Sequence, residues 1–165
     1  MSQTGLEIRP IAARDIARVD QIRRAAFAPV FASFRSLLGD EIYELAQARE
    51  DEAQGHLLAS LLEAGSGWEV YVGSAGGDVV GFVSVQFNRE TKIGEIGLNA
   101  VDPQYAGRGF GTQMYDFVLA RMEQEGMRVA TVSTGADASH APARRAYRKA
   151  GFSAEVPSVW MCRIL

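Results

Sequence analysis

The chain has little of what usually holds a metal: one cysteine, Cys162, and two histidines, His56 and His140, in 165 residues. A single cysteine excludes an internal disulfide and a cysteine-based cluster, and two scattered histidines make no ligand set, so no metal is expected. Long apolar runs are missing too. No stretch approaches the roughly 18 to 20 uninterrupted apolar residues of a membrane span, and the start MSQTGLEIRP lacks the apolar segment of a secretory signal. The expectation is a cytoplasmic protein with no membrane partner. Repeats, low-complexity tracts and linkers are absent, while 47% hydrophobic content suffices for an ordinary core, so residues 1–165 read as one domain.

Strong charge of one sign is also lacking, with a net charge of −3, but the balance is uneven. From Gln104 to Gly151 seven basic residues face four acidic ones, which leaves that segment at +3 and the remainder at −6. Such a local basic patch on an acidic protein suits a small polyanion better than a nucleic-acid duplex.

The periodicities predict an order of elements. LEIRPI (6–11) reads as a short strand, and Ile16, Val19, Ile22 and Ala26 recur at helical spacing over 13–26. An aromatic-punctuated stretch, FAPVFASFRSLLG, follows, and then a second helical region from Glu41 to about Ala64. WEVYVG and VVGFVSVQF flank the turn SAGGD as a hairpin, and IGEIGLNAV (93–101) extends it to a three-stranded meander. Thr112 to Glu125 reads as a helix ending at Gly126, MRVATVS as a strand, Ala141–Ala150 as a helix with Pro142 in its first turn, and VWMCRIL as a last strand. The result is a mixed α/β (α+β) sandwich.

Between strand and helix lies VDPQYAGRGFGT, with Gly107, Gly109 and Gly111 in five positions. Two familiar phosphate cradles fail on spacing: no GxxxxGK[ST] run exists, and GxGxxG would need glycine where the chain has Thr112. The GxGxG that is present still opens a helix, where free N–H groups and the helix dipole favour an anion and absent side chains let it approach. A pyrophosphate is the candidate ligand.

VDPQYAGRGFGTQMYDFVL resembles the acetyl-CoA-binding motif of the GCN5-related N-acetyltransferase (GNAT) superfamily, and HAPARRAYRKAGF resembles that superfamily's second signature, a short helix whose tyrosine precedes Gly-Phe. The resemblance spans nearly the whole chain and is weakest between about 27 and 66, where members differ with substrate. It implies a mixed, mainly antiparallel central sheet of about six to seven strands flanked by about four helices. It implies acetyl-CoA as co-substrate, with Gly109 and Gly111 and their neighbours Ala106, Gly107, Arg108, Phe110 and Thr112 around the pyrophosphate. Leu98, Asn99, Ala100 and Val101, at a splay or bulge of their strand, would hold the pantetheine arm, and His140, Ala143 and Tyr147 would line the cofactor from the last helix. Two departures stand out: Ala106 occupies a place where relatives often have Arg or Gln, with Gln104 close but out of register, and His140 replaces a frequent Asn. His140 then either contacts CoA or caps the helix.

Direct acetylation of an amine needs a base, oxyanion donors and an acid for the departing thiolate. Glu95 is the candidate base, because strand alternation would put 95, 97, 99 and 101 on one side, and a similarly placed strand glutamate serves histone acetyltransferases of the superfamily. Tyr147, at the signature tyrosine's place, is the candidate acid, and a backbone N–H of 98–101 the oxyanion donor. Phe27, Phe31 and Phe34 fall in the segment that shapes the acceptor pocket in relatives. Cys162 reads as a small buried hydrophobe rather than a nucleophile. The expected function is acetyl transfer from acetyl-CoA to a primary amine, of a small molecule or a peptide, in a ternary complex. A non-catalytic acyl-CoA-binding or sensing module of the same fold, or a transferase using another acyl-CoA, stays open, as does a homodimer.

Overall fold

Two glycines set the central hairpin. In the computed structural model, which describes residues 5–165, Gly76 and Gly77 take φ of +63° and +91°, left-handed conformations that match the twist of a two-residue hairpin turn. They join β2 (Trp68–Ala75) to β3 (Asp78–Asn88), and β4 (Ile93–Val101) follows antiparallel. β1 (Glu7–Pro10) pairs antiparallel with β2, and β5 (Val129–Val132) pairs parallel with β4, which gives the order β1-β2-β3-β4-β5. The four residues that open the expected domain, MSQT, lie outside the described part.

Alternating side chains send apolar groups to both faces of this sheet. On one face Val83, Val85 and Ile96 meet Met114, Val118 and Met122 of α4 (Phe110–Gln124) and Tyr147 of α5 (Ala141–Lys149). On the other, Val72 and Phe82 meet Val19 and Ile22 of α1 (Ile16–Leu38) and Leu58 and Leu61 of α3 (Ala48–Leu61). The β1–α1 junction is locked by Arg9, which donates to both oxygens of buried Asp15 at 2.6 and 2.9 Å.

Four expectations need correction. The first helix does not stop near residue 26 but runs through Pro29 to Leu38, because Pro29 sits on the exposed side while Val30 beside it is buried. The carbonyl that a proline leaves without its helical partner is there open to solvent rather than buried. The second helical region divides into α2 (Asp40–Ala46) and α3 at Gln47, whose φ of −124° breaks the helix. MRVATVS contributes only Val129–Val132 as strand.

VWMCRIL forms no strand, so the described residues hold five strands rather than six to seven, with five α-helices. Pro157, just before the run, has no N–H to give a ladder, and a cleft lies between the chain at Val156–Trp160 and Val132–Asp137. Val159, Met161 and Leu165 are exposed, and Cys162 is only partly buried.

Candidate active site

The glycine loop starts from an anchored aspartate. Asp102 is buried, accepts the backbone N–H of Gln104 at 2.9 Å and pairs with Arg18 of α1 at 2.5 Å. One tight turn, Pro103–Tyr105, follows, and Gly107 and Gly109 then take φ of +76° and +78°. A β-carbon added at either would meet nothing within 4 Å, so both face open space. Gly109 is the N-cap of α4, no side chain caps the helix, and Gln113 makes its first intrahelical bond back to Gly109. The N–H groups of Phe110, Gly111 and Thr112 therefore open the helix without a side-chain acceptor. Gly111 plays a different part: its β-carbon would lie 3.7 Å from Val101, so this glycine faces the strand. Arg108 stacks over the ring of Tyr105 at 5.0 Å beside the loop, and Ala106 is exposed.

β4 is irregular where the loop's ligand would run on. Its pairing with β5 ends at Ile96↔Val132, so residues 97–101 continue with a splayed edge. Its pairing with β3 shifts register between Val83 and Val85, so Gly97 and Leu98 both oppose Ser84. The bulge overturns the expected alternation. Glu95 and Gly97 lie on the α1–α3 face, as do Leu98 and Ala100, whereas Asn99 and Val101 face α4 and α5. Glu95 is exposed, opposite Gln86 and Thr131.

Asn99 ties the splayed strand to two tyrosines. Its amide nitrogen donates to the Gly97 carbonyl at 2.8 Å and to Tyr147 Oη at 3.0 Å, and its oxygen accepts from Tyr115 Oη at 2.8 Å. Burial, with Tyr147 adjoining, pushes the Tyr115 hydroxyl well above the usual phenol range, so Tyr115 stays protonated. The proton of Tyr147 reaches only a long contact of 3.4 Å to the Asn99 oxygen, and Tyr147 lines a cleft of about 780 Å³. Its hydroxyl is thus oriented by an incoming bond and left able to donate. Ala143 packs against the same core one turn earlier.

His140 does not cap α5 through its side chain. Its Nδ1 lies 2.5 Å from Asp137, which also accepts from Ser33 of α1 at 3.0 Å and from the Ser139 backbone at 3.1 Å. Burial works against ionisation of Asp137, but the bonds from Ser139, His140 and Ser33 outweigh it and hold the carboxyl well below its usual range. Arg144 donates to the carbonyls of Gly135 and Asp137 and fixes the turn to α5. The ring of His140 approaches Phe34 at 5.9 Å and borders a second pocket, of about 360 Å³, between α1 and α3. Phe34 is the wall common to pocket and cleft.

The structure thus brings together Asn99 and Tyr147 at the splay, with the glycine loop following after the end of that strand. It leaves Glu95 on the opposite face. Tyr115, Asp137 and Ser33 were not foreseen. The spacing Asp137-x-Ser139 is a legible turn signature, but nothing local marks a helical tyrosine or serine as a partner of a distant loop.

Residues 31–152 match the model of the acetyltransferase (GNAT) family. No curated protein sequence matches. Among solved structures, the PaiA N-acetyltransferase from Thermoplasma acidophilum, in complex with coenzyme A, is similar at 17% identity and TM-score 0.71, covering 93% of each chain. A GNAT family acetyltransferase from Brucella melitensis, in complex with acetyl-CoA, is similar at 21% identity and TM-score 0.64, covering 92% of this chain and 85% of its own. An aminoglycoside acetyltransferase from an uncultured soil metagenomic sample, in complex with sisomicin, reaches 19% identity and TM-score 0.60 over 97% and 96%.

Proposed function

The chain belongs to the acetyltransferase (GNAT) family, and we propose that it transfers the acetyl group of acetyl-CoA to a primary amine by direct attack within a ternary complex. The observation that carries this reading is Tyr147 Oη, held by Asn99 beside the strand splay, with its own proton engaged only in a long contact of 3.4 Å to the Asn99 oxygen. The residues fit the co-substrate: left-handed glycines open onto free space at an uncapped helix start, and residues 97–101 offer a strand edge that β5 leaves unpaired.

Acetyl-CoA supplies an activated thioester carbonyl. In our assignment the N–H groups of Phe110, Gly111 and Thr112 bind its pyrophosphate, with Gly107 and Gly109 leaving room and Arg108 adding charge. Residues Leu98 to Val101 bind the pantetheine arm through backbone groups, and one N–H there stabilises the oxyanion. Tyr147 protonates the departing thiolate. A phenol of pKa near 10 and a thiol of pKa near 8.5 are close enough for transfer at short range. Glu95, exposed two residues before the splay, removes the ammonium proton through water. The enzymes in complex with acetyl-CoA, coenzyme A and sisomicin support a CoA thioester as donor and a cationic amine as acceptor.

The test is thiol release from acetyl-CoA across a panel of amines. Tyr147→Phe keeps the ring and should lower kcat by roughly 10² to 10⁴ while CoA affinity holds. Glu95→Gln should lower kcat and move the acidic limb of the pH–rate profile. Single-turnover transfer by Tyr147→Phe at the wild-type rate, with chemistry rate-limiting, would reduce Tyr147 to a packing residue and make water the acid.

A further inference from the structure

Asp51 of α3 is a buried carboxylate with no cation. Its oxygens accept from Tyr43 Oη at 2.6 Å and from Gln47 at 2.9 Å, both neutral donors, and among the described residues no Lys, Arg or His pairs with it. Arg23 lies one turn away but is committed to Asp20 and to Gln54. A buried carboxylate accepts about four hydrogen bonds and is costly unless a positive partner reaches it. Asp51 lines the pocket of about 360 Å³, and opposite it α1 presents Phe27, Phe31 and Phe34. Aromatic side chains across a pocket from a carboxylate without a cationic partner are surroundings that suit an organic cation with an apolar body. Exposed Glu50 adds negative charge at the same pocket, which disfavours an acceptor bearing a carboxylate there.

This pocket is not where acetyl transfer would take place. Asp51 belongs to the α1–α3 layer, whereas Tyr147 and Asn99 belong to the α4–α5 face. The pocket and the cleft at Tyr147 adjoin at Phe34, and the sheet between the layers opens where β4 leaves β5 after Ile96. A molecule held at Asp51 by one positive charge must present a different nitrogen to the thioester. Resting on the acetyltransferase reading above, we propose that the acceptor is a diamine or longer polyamine. One ammonium pairs with Asp51, the methylene spacer lies on the phenylalanine rings, and the other amine, deprotonated, attacks the thioester carbon. The C–S bond then breaks, CoA leaves as its thiol and the product is a mono-N-acetylated amine that keeps its second charge.

The experiment compares diaminobutane and diaminohexane with aminobutane and aminohexane, by thiol release and by calorimetric binding without acetyl-CoA. The diamines should exceed the monoamines by roughly 10-fold to 100-fold in kcat/KM. Asp51→Asn should erase that advantage, chiefly by raising the KM of the diamines. Phe31→Leu keeps the apolar wall without the ring. It should weaken diamine binding several-fold even if Asp51→Asn fails to fold. Equal use of monoamines and diamines by the wild type, or diamine binding indifferent to both substitutions, overturns the proposal. Loss of thiol release with every amine, while calorimetry still shows diamine binding that depends on Asp51, would strike the transferase reading and leave the pocket assignment standing.

Discussion

Asn99 shows how one side chain can commit two others to different work. Its oxygen accepts from Tyr115 at 2.8 Å and its nitrogen donates to Tyr147 at 3.0 Å, while the Tyr147 hydroxyl makes only a long contact of 3.4 Å back to that oxygen. At the same scale, Asp15 makes folding depend on pH. The bonds from Arg9 outweigh the cost of burial, and the Ala12 N–H adds to them, so its pKa falls from 3.8 to about 2. A carboxyl whose pKa is lowered on folding stabilises above its unfolded value and loses that contribution as pH falls through the folded one. Asp15→Asn should therefore cost about 1–2 kcal/mol at neutral pH. In urea titrations the gap between variant and wild type should close between about pH 4 and pH 2. A gap constant across that window would assign the effect to packing.

At the level of elements, the three glycines at the start of α4 divide into two kinds. Gly109 has φ of +78° and faces open space, so valine there strains the backbone and fills the approach. Gly111 is helical with room for one methyl at 3.7 Å from Val101. Calorimetry should show no CoA binding by Gly109→Val and near wild-type binding by Gly111→Ala, which should also gain up to about 1 kcal/mol of stability from helix propensity. CoA bound normally by Gly109→Val would remove the loop from the site.

For the whole molecule, the two cores flank five strands, and the last residues join neither. Val156, Val159, Trp160, Met161, Ile164 and Leu165 are all exposed, although VWMCRIL reads in sequence as a last strand. Trp160→Ser and Met161→Ser should each change unfolding free energy by no more than about 0.5 kcal/mol. If chemical denaturation instead showed losses of several kcal/mol, as for side chains of a packed sixth strand, the segment would have to be buried in solution.

The glycine loop and the helix after it were legible in GRGFGT because left-handed backbone is a local steric requirement that glycine alone meets cheaply, and the short helix carrying Tyr147 was legible from Pro142 in its first turn and Gly151 past its end. The hairpin at Gly76-Gly77 was legible for the same local reason. Tertiary structure decided what depended on distant partners. A bulge opposite Ser84 reversed the face on which Asn99 lies and parted it from Glu95. Packing carried α1 through Pro29, and VWMCRIL found no strand partner, with a cleft between it and the chain after β5. Asp51 looks in sequence like any acid on a helix face, and only the fold, by burying it opposite three phenylalanines without a cation, makes it a candidate for recognition. Register and charge pairing are relations between segments far apart in the chain, so no local pattern encodes them.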